Sequence, residues 1–135
     1  MVKQILFFCL LCMGLTATKA QTNAYNDIWE AMNNYDYEKA LLLIDKEVPS
    51  TTLLYQKGKA LKELGRDKEA LTVFEQLTRQ DSLNPRAYIE AAECYKSLGK
   101  FQPALQCYGR VIELNPQNKY ARIQYIGQLL DLHKY

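Results

Sequence analysis

Shifted by 34 residues along itself, the chain repeats the residues that decide how helices pack. Gly65 falls on Gly99, Ala70 on Ala104, Leu71 on Leu105 and Leu64 on Leu98. Phe74 falls on Tyr108, Leu61 on Tyr95 and Gly58 on Ala92. A fixed period of this length means a stack of supersecondary units, each burying its apolar face on its neighbours, and not one closed globule. Stacked helix pairs generate a curved surface, and such surfaces bind other proteins.

The unit from Pro85 to Asn118 shows the plan most clearly. Tyr88, Ala91, Ala92 and Tyr95 recur at spacings of three and four, which marks one face of a helix. Gly99 ends it, because glycine accepts the positive φ of a helix terminus at little cost. A second helix follows with Pro103 in its first turn, an apolar stripe of Ala104, Tyr108, Val111 and Ile112, and a stop at Asn115-Pro116. The small residues Ala92 and Ala104 let the two helices approach, and Tyr95 and Tyr108 fill the space beside that contact. The unit from Thr51 to Asn84 repeats the plan with Leu54, Gly58, Leu61, Gly65, Ala70, Phe74 and Leu77.

Small residues at Gly58, Ala70, Ala92 and Ala104, with Leu61, Phe74, Tyr95 and Tyr108 beside them and Pro116 at the end, resemble the tetratricopeptide repeat. The resemblance implies an all-α fold, a right-handed solenoid of antiparallel helix pairs with about seven helices. Departures are modest: Leu54 and Tyr88 stand where tryptophan is usual, Ser82 replaces the terminal proline, and Lys57 stands where leucine is common. Over 21–50 the repeat is degenerate. Tyr37 to Leu41 aligns with Asp67 to Leu71 at a shift of only 30, its second helix is expected to stop near Lys46, and it reads as an N-terminal cap. Residues 119–135 form half a repeat. Its helix carries Ala121, Ile123, Tyr125, Ile126, Leu129, Leu130 and Leu132, with only a narrow polar face at Arg122, Gln124, Gln128 and Asp131. Either the array continues beyond this sequence, or a partner covers this end, self-association through the helix included.

Residues 1–20 read as a secretory signal peptide. Lys3 gives a positive start, Ile5 to Leu15 is almost continuously apolar, and Thr18-Lys19-Ala20 places small residues before Gln21. An uncleaved anchor is the alternative for this segment. A lipoprotein signal fits poorly, because bulky residues precede Cys9 and Cys12. Without Lys3 and Lys19, the 17 basic residues fall to 15 and equal the 15 acidic ones. No net field then draws the domain to nucleic acid or to an anionic membrane. Nothing after residue 20 is apolar for long enough to span a bilayer.

No cofactor, metal or catalytic constellation is implied. His133 is the only histidine, placed at an expected turn near the C-terminus, so a nucleophile–histidine pair has little to be built from. Cys94 and Cys107 are expected as free thiols on facing helices, since helix axes about 8–10 Å apart exceed the usual reach of a disulfide. Glu90 and Glu93 lie one turn apart and read as charges on a solvated face. The resemblance carries a partner-binding role to the first helices of the repeats. It assigns Tyr25, Asn26 and Trp29, then Tyr55, Gln56 and Lys59, then Arg86, Ile89, Glu90 and Glu93, and last Tyr120, Ile123 and Gln124. Trp29 and Tyr25 are equally readable as covers of the first unit's own core. The carboxylate-clamp variety of the family is disfavoured, because Glu90 and Glu93 stand where it needs donors. The expected function is a non-catalytic, exported scaffold, periplasmic or secreted, that binds a protein or peptide in the cell envelope. The alternative is the N-terminal part of a larger exported protein whose further domain is enzymatic or binds the cell wall.

Overall fold

The computed structural model describes residues 20–133. Apart from Ala20, the expected signal segment lies outside these residues. Seven helices and no strand occur among them: α1 (20–33), α2 (Tyr37–Ile44), α3 (Thr51–Glu63), α4 (Asp67–Gln80), α5 (Pro85–Ser97), α6 (Phe101–Leu114) and α7 (Lys119–His133). No helix among them is long and apolar enough to cross a membrane. The described residues divide into two compact units, 20–48 and 49–133.

In the second unit each helix packs on the next, α3 on α4, α4 on α5, α5 on α6 and α6 on α7. Turns of a few residues join them, so neighbours run antiparallel. The helix ends follow from local chemistry. Ser50, Asn84 and Asn118 accept hydrogen bonds from the amides of Leu53, Arg86 and Ala121, which satisfies donors that a helix start leaves open. At the other ends, Gly65 and Gly99 both take φ of 71°. The amides of Arg66 and Lys100 then reach back to the carbonyls of Leu61 and Tyr95, each at 2.8 Å. The core is the pattern of small and large residues anticipated from the repeat. Ala70, Phe74, Ala92, Ala104 and Tyr108 are all fully buried. Gly58 lies so close to Phe74 that an added Cβ would fall 2.5 Å from the ring. Tyr95 on α5 donates a hydrogen bond to Glu75 on α4, and that bond and burial push its hydroxyl up to about 12.

The first unit uses the same closure with a different residue. Tyr35 holds φ of 61° in the position of Gly65, and the Asp36 amide reaches the Ala31 carbonyl at 2.9 Å. The second helix, α2, has 8 residues against 14 in α4 and in α6, which accounts for the shortened repeat. Ile28 and Ala31 form the buried side of α1, whereas Trp29 is 53% exposed and Tyr25 half-buried.

Three placements correct the reading from sequence. His133 is the last residue of α7 rather than part of a turn. Gln128, assigned to the polar outer face, is buried at 6% exposure. Glu90 is also buried, at 8% exposure, and not on a solvated face. At Glu90 the cover comes from Tyr55, Lys59 and Lys62 of another helix, which periodicity within one helix cannot reveal.

Candidate functional site

The first helices of the repeats in the second unit, α3, α5 and α7, carry a continuous polar network. Glu90 on α5 accepts hydrogen bonds from the Tyr55 hydroxyl at 3.1 Å and from Lys62 Nζ at 2.6 Å, both on α3. Lys59 Nζ stands 3.4 Å from the same carboxylate. Lys62 also donates to Glu93 at 2.5 Å, and Glu93 accepts from the Tyr120 hydroxyl of α7 at 2.8 Å. One repeat further along, Lys96 donates to Gln124 Oε1 at 2.6 Å. Arg86 lies over the Tyr55 ring with its guanidinium carbon 5.8 Å from the centroid, a cation–π arrangement.

Electrostatics follow from these distances. Burial works against the charged Lys62 amine, but hydrogen bonds to Glu90 and Glu93 outweigh it and raise its pKa above the ordinary lysine value. Burial likewise opposes the Glu93 carboxylate. The hydrogen bonds from Lys62 and Tyr120 prevail and hold its pKa below the usual range. Burial first, and then the Glu90 charge, push the Tyr55 hydroxyl up. Glu93 is thereby fixed as an anion that binds and positions, not one that exchanges protons near neutrality. Cys94 and Cys107, the cysteines among the described residues, are free thiols, the first buried and the second half-buried. Burial pushes them up to about 12 and about 11, so neither is poised as a nucleophile.

The structure thus brings together Tyr55, Lys59, Arg86, Glu90, Glu93, Tyr120 and Gln124 of the residues expected on the binding face. Gln56 is half-buried on α3. Ile89 is spent partly on packing against the Ala92–Tyr108 core cluster. Ile123 stands 66% exposed beside the network. Tyr25, Asn26 and Trp29 lie on α1 in the first unit. Two central residues were missed, Lys62 and Lys96. The period held their signal: they are 34 residues apart, and each bonds a residue 28 positions further on, Glu90 and Gln124.

Comparison with known proteins identifies the repeats that carry α3 to α6. The tetratricopeptide repeat profile matches residues 51–82 and 85–118. These segments are tetratricopeptide repeats. The human protein DnaJ homolog subfamily C member 7 is 31% identical over 110 residues, covering 79% of this chain and 21% of the relative. The chain thus spans about a fifth of that relative's length. Among solved structures, the Yersinia enterocolitica type III secretion chaperone SycD, in complex with a peptide of the translocator YopD, superposes with a TM-score of 0.77 at 15% identity. The match covers 84% of this chain and 95% of SycD. The first tetratricopeptide domain of Spaghetti, bound to an HSP90 peptide, gives 0.75 at 18% identity over 83% of this chain and 92% of that domain. PcrH of Pseudomonas aeruginosa, with the chaperone-binding region of PopB, gives 0.68 at 16% identity over 82% and 92%. At these identities the likeness establishes the helical solenoid fold.

Proposed function

We propose that the protein is a non-catalytic scaffold that binds a peptide segment of a protein partner along the α3–α5–α7 face. The observation that carries this reading is the division of labour between helix faces. The small and large core residues such as Ala70, Phe74, Ala92, Ala104 and Tyr108 are buried between helices, while the first helices line up tyrosine, lysine, arginine and glutamate from separate repeats on one side. A face that presents both charges and aromatic rings suits recognition of a peptide's backbone and side chains. The peptide-bound states of SycD, PcrH and Spaghetti support it by analogy of fold. The signal-like segment from Lys3 to Ala20 supports a partner in the cell envelope, periplasmic or outside the cell.

A photo-crosslinking side chain at Gln56 or Arg86 should capture the partner in envelope extracts. The same group at Thr72 or Gln106, exposed on the second helices α4 and α6, should not. Equal capture from both sets would remove the assignment of the face. For export, the N-terminus of secreted material should be Gln21. Material that begins at Met1 would contradict cleavage.

A further inference from the structure

The same cradle occurs twice along the face, filled in one repeat and empty in the next. Lys62 meets Glu90 and Glu93, which follow it by 28 and 31 residues. Its counterpart Lys96 meets Gln124 at the first of those spacings, and Gly127 occupies the second. One carboxylate has become a neutral amide, and the other has lost its side chain altogether. A Cβ built on Gly127 has nothing within 4 Å. A recess of about 680 Å³ opens there, lined by Lys96, Gln124 and Gly127 together with Phe101, Ile123 and Gln128. The buried amide of Gln128 has no hydrogen-bond partner on either its nitrogen or its oxygen.

We propose that this recess takes an acidic side chain of a bound peptide, in the place that Glu93 fills one repeat earlier. The inference rests on the peptide-binding reading and specifies the chemistry of its ligand. Lys96 supplies the ammonium, held in position by Gln124. A glutamate or aspartate from the ligand supplies the missing charge, as Glu93 does for Lys62. The Gln128 amide offers a donor and an acceptor together, which is the complement of a peptide group in the ligand main chain. Phe101 and Ile123, both largely exposed, receive an adjoining apolar side chain. Asp131, one turn beyond Gly127 in α7, also lines the recess.

The test uses the full chain and a fluorescein-labelled, end-blocked hexapeptide of alternating glutamate and leucine, with its glutamine counterpart as control. Fluorescence anisotropy should show binding of the acidic peptide at least about tenfold tighter than the neutral one, weakening as salt is raised. Gly127→Glu places the protein's own carboxylate in the recess and should abolish that preference, as should Lys96→Gln. Gly127→Ala fills little space and adds no charge, so it should retain the preference and show that the helix tolerates substitution. Equal affinity for both peptides, no binding of either, or an acidic preference that survives Gly127→Glu would overturn the proposal. A preference lost in Lys59→Gln but kept in Lys96→Gln would overturn it while leaving the α3–α5–α7 face as the binding surface.

Discussion

Replacing Gly58 by alanine sets two effects of opposite sign against each other. In an exposed helix interior the change stabilises by about 0.8–1 kcal/mol, because alanine loses less backbone entropy on folding. At Gly58 the new Cβ would lie 2.5, 2.6 and 2.8 Å from three carbons of the Phe74 ring, whereas unstrained carbon contacts are about 3.5–4.0 Å. The ring or the helix must therefore shift by about 1 Å. Phe74 has little freedom to do so, being fully buried and packed edge-on against Tyr55 with centroids 6.1 Å apart. Overpacking of this kind costs about 1–3 kcal/mol. The third repeat carries Ala92 in a core cluster with Tyr108 at the matching positions, so the helix pair can open to admit a methyl group. That favours the lower part of the range. Net of the propensity gain, Gly58→Ala should destabilise by about 1 kcal/mol. A urea titration followed by circular dichroism measures it, with the midpoint moving down at unchanged slope. Phe74→Leu removes the ring carbons responsible. In that background Gly58→Ala should be neutral or stabilising, giving a coupling of about 1–2 kcal/mol. A stabilising Gly58→Ala in the native background, or the same shift in both backgrounds, would refute the close contact.

Tyr35→Gly relieves a left-handed conformation that costs a non-glycine residue about 1–2 kcal/mol. After the extra chain entropy of glycine, a gain of about 0.5 kcal/mol is expected on thermal melting, against a loss of about 1 kcal/mol or more for Gly99→Ala. Enlarging Ala104, which is fully buried, to leucine should lower the melting temperature through a loss of about 1–3 kcal/mol. An unchanged melting temperature would show that α6 packs in another register. Glu93 has a folded pKa below its ordinary 4.5, so its contribution is present above about pH 4.5 and is lost as pH falls through the folded value. Lys62 has the opposite sign: its pKa is raised from 10.5, so its contribution is complete below that value and is lost only as pH rises through the raised one. Glu93→Gln should therefore flatten the acid limb of a stability–pH profile and leave the limb between pH 5 and 8 level. An acid limb identical to the parent's would dissociate Glu93 from the network.

Helix number, helix ends and the small-against-large pairing of the core were legible in the amino-acid sequence because each depends on neighbours close along the chain. Gly65 and Gly99 end helices through amides and carbonyls within five residues, and the alternation at Ala92, Ala104 and Tyr108 is carried by a spacing of three or four. Tyr35 shows the limit of that logic. Only its alignment with Gly65 at the shorter shift of 30 hints at a positive φ, since tyrosine itself gives no such signal. The binding face was legible only in outline. Position within the repeat placed Tyr55, Glu90, Glu93 and Tyr120 on first helices, yet charge pattern alone put both glutamates in solvent. Their partners Tyr55, Lys62 and Tyr120 stand 27 to 35 residues away from the carboxylates they complement, across separate helices. Whether a charge on one helix is hydrated or paired depends on the lateral spacing of the helices beside it, and only the stacked structure sets that spacing. The same holds for Gln128 and Gly127. By sequence one is a polar surface residue and the other an isolated helix glycine. The packing of α5, α6 and α7 decides that the first is buried and the second leaves an open recess beside Lys96, which meets Gln124 where Lys62 meets Glu90.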